Sequence, residues 1–160
     1  MINMAFASAC GSLVSNLIGA GYANYVQATI RQHVHLAYAF VIPLAVSFAL
    51  FPEWILGVYT DSPDLQQAAV YTLWVMCAAY LVQVPANVYF ISVSGTGNTR
   101  TAFGLEMIAH VVYFIYITYI ILYLRLNIAF AWTSEVVYAI VILSTCYLYM
   151  KQGKWQERSI

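Results

Sequence analysis

Residues 80–123 read YLVQVPANVYFISVSGTGNTRTAFGLEMIAHVVYFIYITYIILY: two long apolar runs on either side of one short polar break, Gly95-Thr96-Gly97-Asn98-Thr99-Arg100. Crossing a bilayer takes roughly 20 mostly apolar residues, and each run can do so. The break is too short for anything but a tight turn, so the two runs are antiparallel neighbours. Gln83, Asn87, Glu106 and His110 lie inside them. Polar and ionisable groups are costly at membrane depth and usually face a polar interior or a pathway, which makes this hairpin the place to look for function.

Three further runs, over residues 2–18, 36–51 and 128–150, share this character. The third and fourth spans extend over residues 68–93 and 102–124. Only 8% of the chain is charged, against about 25% in a soluble domain, too few charges to clothe a water-facing surface. The expected fold class is all-α, a polytopic membrane bundle of five transmembrane helices over residues 1–150 with a polar, basic tail over 151–160. A net charge of zero gives no sign of a nucleic-acid partner; the partners expected are the lipid bilayer and small molecules. Cys10, Cys77 and Cys146 each fall within an apolar run without metal-ligand spacing, and are read as packing residues.

The first run has no basic residue ahead of it, unlike a signal peptide, so the chain is expected to begin inside a longer protein. Gly19-Ala20-Gly21 ends its helix. The Gly19-x-Gly21 pair is no dinucleotide loop: a membrane-length helix precedes it and Asn24 stands where a third glycine is required. His33 and His35 are two apart and face apart on a helix. Pro43 and Pro85 fall within spans, where each removes a backbone donor and neighbours must satisfy the freed carbonyl. Ser62 is placed to cap the third helix, with Pro63 at its first position. Trp54, Trp132 and Trp155 sit at span ends, where interfacial aromatics belong.

Five spans put the connectors alternately on two sides. Residues 19–35, the Gly95–Arg100 turn and the tail carry Arg31, Arg100, Lys151, Lys154 and Arg158; the other side carries Glu53, Asp61, Asp64 and only Arg125 among basic residues. The positive-inside rule makes the first side, and the C-terminus, cytoplasmic.

Several motifs are familiar. Ser15-Asn16-Leu17-Ile18-Gly19-Ala20-Gly21 resembles the end of the eighth helix of multidrug and toxic compound extrusion (MATE) transporters. Ser94-Gly95-Thr96-Gly97-Asn98-Thr99-Arg100 resembles the turn between their tenth and eleventh. Trp132-x-x-Glu135-x-x-Tyr138, with Gly153-Lys154-Trp155, is similar to their last helix and tail. The resemblance implies a fold of twelve helices in two six-helix lobes, of which this chain supplies helices eight to twelve; its partners would be the N-terminal lobe and helix seven. It further implies export of amphipathic organic compounds across the inner membrane, driven by protons or sodium ions, with no cofactor beyond the coupling ion. Gln83 stands where some members carry an acidic residue on helix ten, so a sodium site built on that carboxylate is not expected. The alternatives are a lipid-linked sugar flippase, which calls for more basic residues inside the lobe, and a non-transporting membrane module. The sequence offers no paired intramembrane Asp, no HExxH and no Gly-x-Ser-x-Gly, so the expected protein is not an enzyme.

The candidate substrate- or ion-binding residues are Gln83, Asn87, Glu106, His110 and Tyr113. Glu106, His110 and Tyr113 share one helical stripe, with Glu106 roughly 7 Å inside the cytoplasmic end at the α-helical rise. Local bonding of Glu106 to His110, and interhelical hydrogen bonding by Gln83 and Asn87, stand as structural alternatives to a role in transport. Asn87 and His110 fall at similar depth in an antiparallel hairpin, where a shared polar layer could form. Glu135 is expected nearer the outer face, paired with Arg125 or Tyr138 in a structural role.

Overall fold

The computed structural model describes residues 2–126, 128–153 and 155. Asn127 of the expected fourth turn, and Lys154 and Arg158 of the basic tail, lie outside the described residues. Every regular element among those described is helical. In chain order these are α1 (Ile2–Gly19), α2 (Val26–Leu50), α3 (Pro52–Gly57), α4 (Pro63–Gly95), α5 (Thr99–Thr118), α6 (Ile128–Ala131) and α7 (Thr133–Gln152). A 3₁₀ turn over Ala23–Tyr25 leads into α2, and a π-helical stretch, Tyr119–Leu124, prolongs α5. Five of these segments are long and apolar enough to cross a membrane: Ile2–Gly19, Ala23–Leu50, Pro63–Gly95, Thr99–Leu124 and Ile128–Gln152.

The boundaries differ from expectation where local chemistry favours a longer helix. The second span takes up most of the 19–35 connector, leaving only residues 20–25 between helices. The third continues unbroken through Pro85 to Gly95. Ser62 occupies the cap position of α4 ahead of Pro63, but its hydroxyl makes no cap bond; Gln66 instead folds back and donates to the Thr60 carbonyl at 2.7 Å. The central turn is built as its residues dictate. Gly97 adopts a positive φ of 79°, open to glycine at little cost. Asn98 then caps α5 by accepting from the Thr101 N–H and donates to the Tyr149 hydroxyl of α7 at 2.8 Å.

Helices α1, α2 and α4 pack against one another, α4 packs most extensively on α7, and α5 packs on α7. The buried set is dominated by small or β-branched side chains: Ala7, Cys10 and Val14 of α1, Ala86, Val88 and Val93 of α4, Ala139 and Cys146 of α7. Lipid is as apolar as leucine, so helix association relies on close van der Waals packing, which small residues allow. The closest approach is at Gly11 and Gly95. A Cβ on Gly95 would lie 2.5 Å from the Gly11 carbonyl oxygen, and one on Gly11 would lie 2.6 Å from Ile91 Cγ2. Beside it the Cys10 thiol and the Ser92 hydroxyl meet at 3.4 Å. All three cysteines are free. Phe103, Ile108, Val111, Phe114 and Ile115 of α5 are exposed, as a lipid-facing surface requires.

Trp155 is not an interfacial anchor. It is 2% exposed, within the main core cluster, and its indole N–H donates to the Met150 carbonyl at 3.0 Å. Gln27 of α2 donates to the same carbonyl at 3.1 Å. Met150 lies in the last turn of α7, whose carbonyls lack intrahelical donors, so the tail turns back at Gly153 to satisfy one of them. Trp54, by contrast, is 77% exposed on α3, consistent with the interfacial role expected of it.

The alternating spans place the start of α4 and the end of α7 on opposite faces. Single cysteines at the exposed positions Asp64 and Lys151 are therefore expected to react with an impermeant maleimide from opposite sides of intact cells. Labelling of both from outside would refute the five-span arrangement.

Candidate functional site

One turn of α4, residues 81–83, is held by three other helices. Pro85 lacks the N–H that would bond the Leu81 carbonyl, and the Tyr38 hydroxyl of α2 donates to that carbonyl at 2.9 Å, the neighbour's repair that a helix-interior proline in a membrane requires. From α1, the Asn3 side-chain amide donates to the Gln83 carbonyl at 3.3 Å. From α7, the Glu135 carboxylate accepts from the Gln83 side-chain amide at 2.9 Å. Asn3 is 1% exposed, and its Oδ1 is buried without a protein donor. Buried polar atoms are rarely left so.

Glu135 is therefore tied neither to Arg125 nor to Tyr138, as the sequence led us to expect, but to Gln83. The reason is the stacking of α7 on α4, which brings the first turn of α7 beside the middle of α4. Helical rise puts Glu135 roughly 10 Å inside the fifth span, measured from Ile128, and Gln83 roughly 18 Å from the Gly95 end of α4.

On its other side α7 meets α5. The His110 and Tyr138 rings pack edge to face with centroids 5.2 Å apart, and Tyr113 meets Tyr138 at 6.4 Å. One turn further along α5 the Tyr116 hydroxyl meets the Thr133 hydroxyl at 2.9 Å. Polar groups therefore lie on both sides of α7: His110 and Tyr113 against Tyr138 at the α5–α7 seam, and Gln83 against Glu135 at the α4–α7 seam. Among the described residues no three His, Cys, Asp or Glu side chains gather closely enough to hold a metal ion.

Of the residues singled out from sequence, His110 and Tyr113 meet on Tyr138, and Gln83 lies on the far side of α7. His110 bonds Glu106 through the backbone: its Nδ1 lies 3.0 Å from the Glu106 carbonyl oxygen, not against the carboxylate. Asn87 is half-buried, one turn beyond Gln83. No hydrogen bond joins it to His110 among the described residues: His110 packs on Tyr138 of α7, and the polar contacts of α4 run to α1, α2 and α7. Asn3 and Tyr38 were missed. Asn3 could have been flagged as a polar residue inside an apolar run, and Pro85 announces that Leu81 needs a donor; nothing in the sequence says which helix supplies it.

Membrane-length helices with polar groups between them define an integral membrane protein. The MatE family matches residues 1–120, three quarters of the chain, and the chain belongs to that family of membrane transporters. Neither the curated proteins nor the solved structures offer a match to it. Helix α7, which carries Glu135 and Tyr138, lies beyond the matched range.

Proposed function

We propose that the chain forms part of the C-terminal lobe of a cation-coupled exporter of amphipathic organic compounds, with protons or sodium ions as the driving species and the C-terminus on the cytoplasmic side of the inner membrane. The observation that carries this reading is the set of polar groups on both sides of α7, Gln83 with Glu135 and His110 with Tyr138, in a chain of the MatE family. Such groups are costly at membrane depth and characteristically mark ion or substrate paths. In this reading Gln83, Asn87, Glu106, His110 and Tyr113 face the transported species or the coupling ion. The flat faces of Tyr113 and Tyr138 suit a cationic amphiphile, since aromatic rings attract cations. The complementary N-terminal lobe and a further helix complete the pathway.

The test is efflux of a cationic dye by the full-length parent in vesicles, with proton and sodium gradients imposed separately. One of the two gradients is expected to accelerate efflux, and liposomes holding this chain alone are expected to move no dye. Efflux indifferent to both gradients, or dye movement by the isolated chain, would overturn the reading.

A further inference from the structure

We infer that Glu135 is a proton-binding site within the bundle, with the Gln83 amide as the partner that follows its protonation state. Its use in transport rests on the function proposed above. Three observations converge on it. Glu135 sits inside the fifth span, and its observed partner is a neutral amide, not a cation. That amide belongs to the turn of α4 held by Asn3 and Tyr38 immediately before Pro85. The buried Asn3 Oδ1 adds an unpartnered acceptor beside the same turn.

A primary amide suits both states of a carboxyl group. It donates through Nε2 to the carboxylate, as here at 2.9 Å, and after a half-turn it accepts through Oε1 from the acid O–H. Protonation therefore keeps the contact and reverses its polarity. In the step itself a hydronium ion gives its proton to Glu135 Oε2, leaving water, and the reverse step returns it. An ionised carboxylate is costly at membrane depth, so both states are within reach only where a partner of this kind serves each.

The groups around Glu135 fit this role. On α7 itself Tyr138 lies three residues on. From α5, His110 and Tyr113 pack on Tyr138, Glu106 stands one turn before His110, and Tyr116 binds Thr133. On α4 the titratable neighbour of Gln83 along the helix is Tyr80, which lines an apolar crevice with α2. His110 is the one basic group in this set. Its contacts are the Glu106 carbonyl and the Tyr138 ring, and among the described residues it makes no ion pair with Glu135.

The sequence put its weight on Glu106; the geometry points to Glu135. Glu106 has its stripe neighbour His110 bonded to its backbone, whereas the Glu135 carboxylate is bonded directly across an interface.

The experiment is pH-difference infrared spectroscopy on the full-length protein in liposomes, together with proton-driven dye efflux. A carboxylic-acid C=O band should appear on acidification, vanish in Glu135→Gln, shift in frequency in Gln83→Leu and persist in Glu106→Gln. Glu135→Gln should also lose the proton dependence of efflux. A band that survives in Glu135→Gln, or one unmoved by Gln83→Leu, overturns the assignment. The Gln83→Leu arm keeps the test decisive if Glu135→Gln does not fold. Wild-type protein that shows the Glu135 band but no efflux would sink the transport reading and leave the proton site standing. Proton-driven efflux that is unchanged in Glu135→Gln would leave the transport reading standing and overturn the use of Glu135 in it.

Discussion

Gly95→Leu is expected to eliminate folded protein, while Gly104→Ala leaves it intact or raises its stability. Both glycines lie on membrane helices, and in sequence both look like ordinary small residues. At Gly95 the helix lies against the backbone of α1: an added Cβ would meet the Gly11 carbonyl oxygen at 2.5 Å and its carbonyl carbon and Cα at 3.2 Å. Backbone atoms cannot turn aside as a flexible side chain can, so α1 and α4 must separate. Overpacking of this kind costs about 1–3 kcal/mol and sometimes more. Separation here also breaks the neighbouring Cys10–Ser92 contact and draws Asn3 away from Gln83. Gly104 has nothing within 4 Å of its would-be Cβ; there alanine should gain about 1 kcal/mol of helix propensity. The measurement is the fraction of protein that remains monodisperse in mild detergent after heating, with Gly95→Ala expected between the extremes. A Gly95→Leu variant as heat-resistant as the wild type would show that the two helices do not cross at this point.

Tyr38→Phe is expected to destabilise the bundle by about 1–2 kcal/mol, the upper range for an interhelical hydrogen bond in a membrane, and most of that loss should disappear in the Pro85→Ala background. The Leu81 carbonyl has lost its helical donor to Pro85, and the Tyr38 hydroxyl replaces it at 2.9 Å. Alanine at position 85 restores the N–H, so the carbonyl no longer depends on α2. The two substitutions therefore couple, and a double-mutant cycle isolates the coupling. Stability would be followed by denaturant unfolding in mixed micelles. Equal losses from Tyr38→Phe in both backgrounds would mean that the hydroxyl contributes through packing, not by repairing the helix at Pro85.

The family motifs and the turns were legible because they are local. Asn98 capping α5, Gly97 at positive φ and Pro63 opening α4 follow from residue chemistry within a few positions. The site was legible only in its inventory. Glu106, His110 and Tyr113 share a stripe, as spacing required, and two of them meet through Tyr138. The Gln83–Glu135 bond spans 52 positions and the Asn3–Gln83 bond 80, and no local rule reaches that far. Trp155 shows the same limit: its place at a span end fitted a headgroup anchor, yet its indole N–H bonds the Met150 carbonyl and its ring lies in the core.

By itself the sequence determined that this chain folds into five membrane-length helices, roughly where the connectors between them fall, and which polar residues are carried to membrane depth. A backbone in lipid must satisfy its own hydrogen bonds, and an apolar run of sufficient length has no other spanning form than a helix. Only the tertiary structure decided which helix faces which. In water an amphipathic pattern marks the buried face of a helix; in a bilayer the lipid-facing and protein-facing sides are both apolar, and that mark is lost. Contact at a few small residues, Gly11 against Gly95 above all, chose the partners instead. That choice placed α7 against both α4 and α5, and with it Glu135 against Gln83.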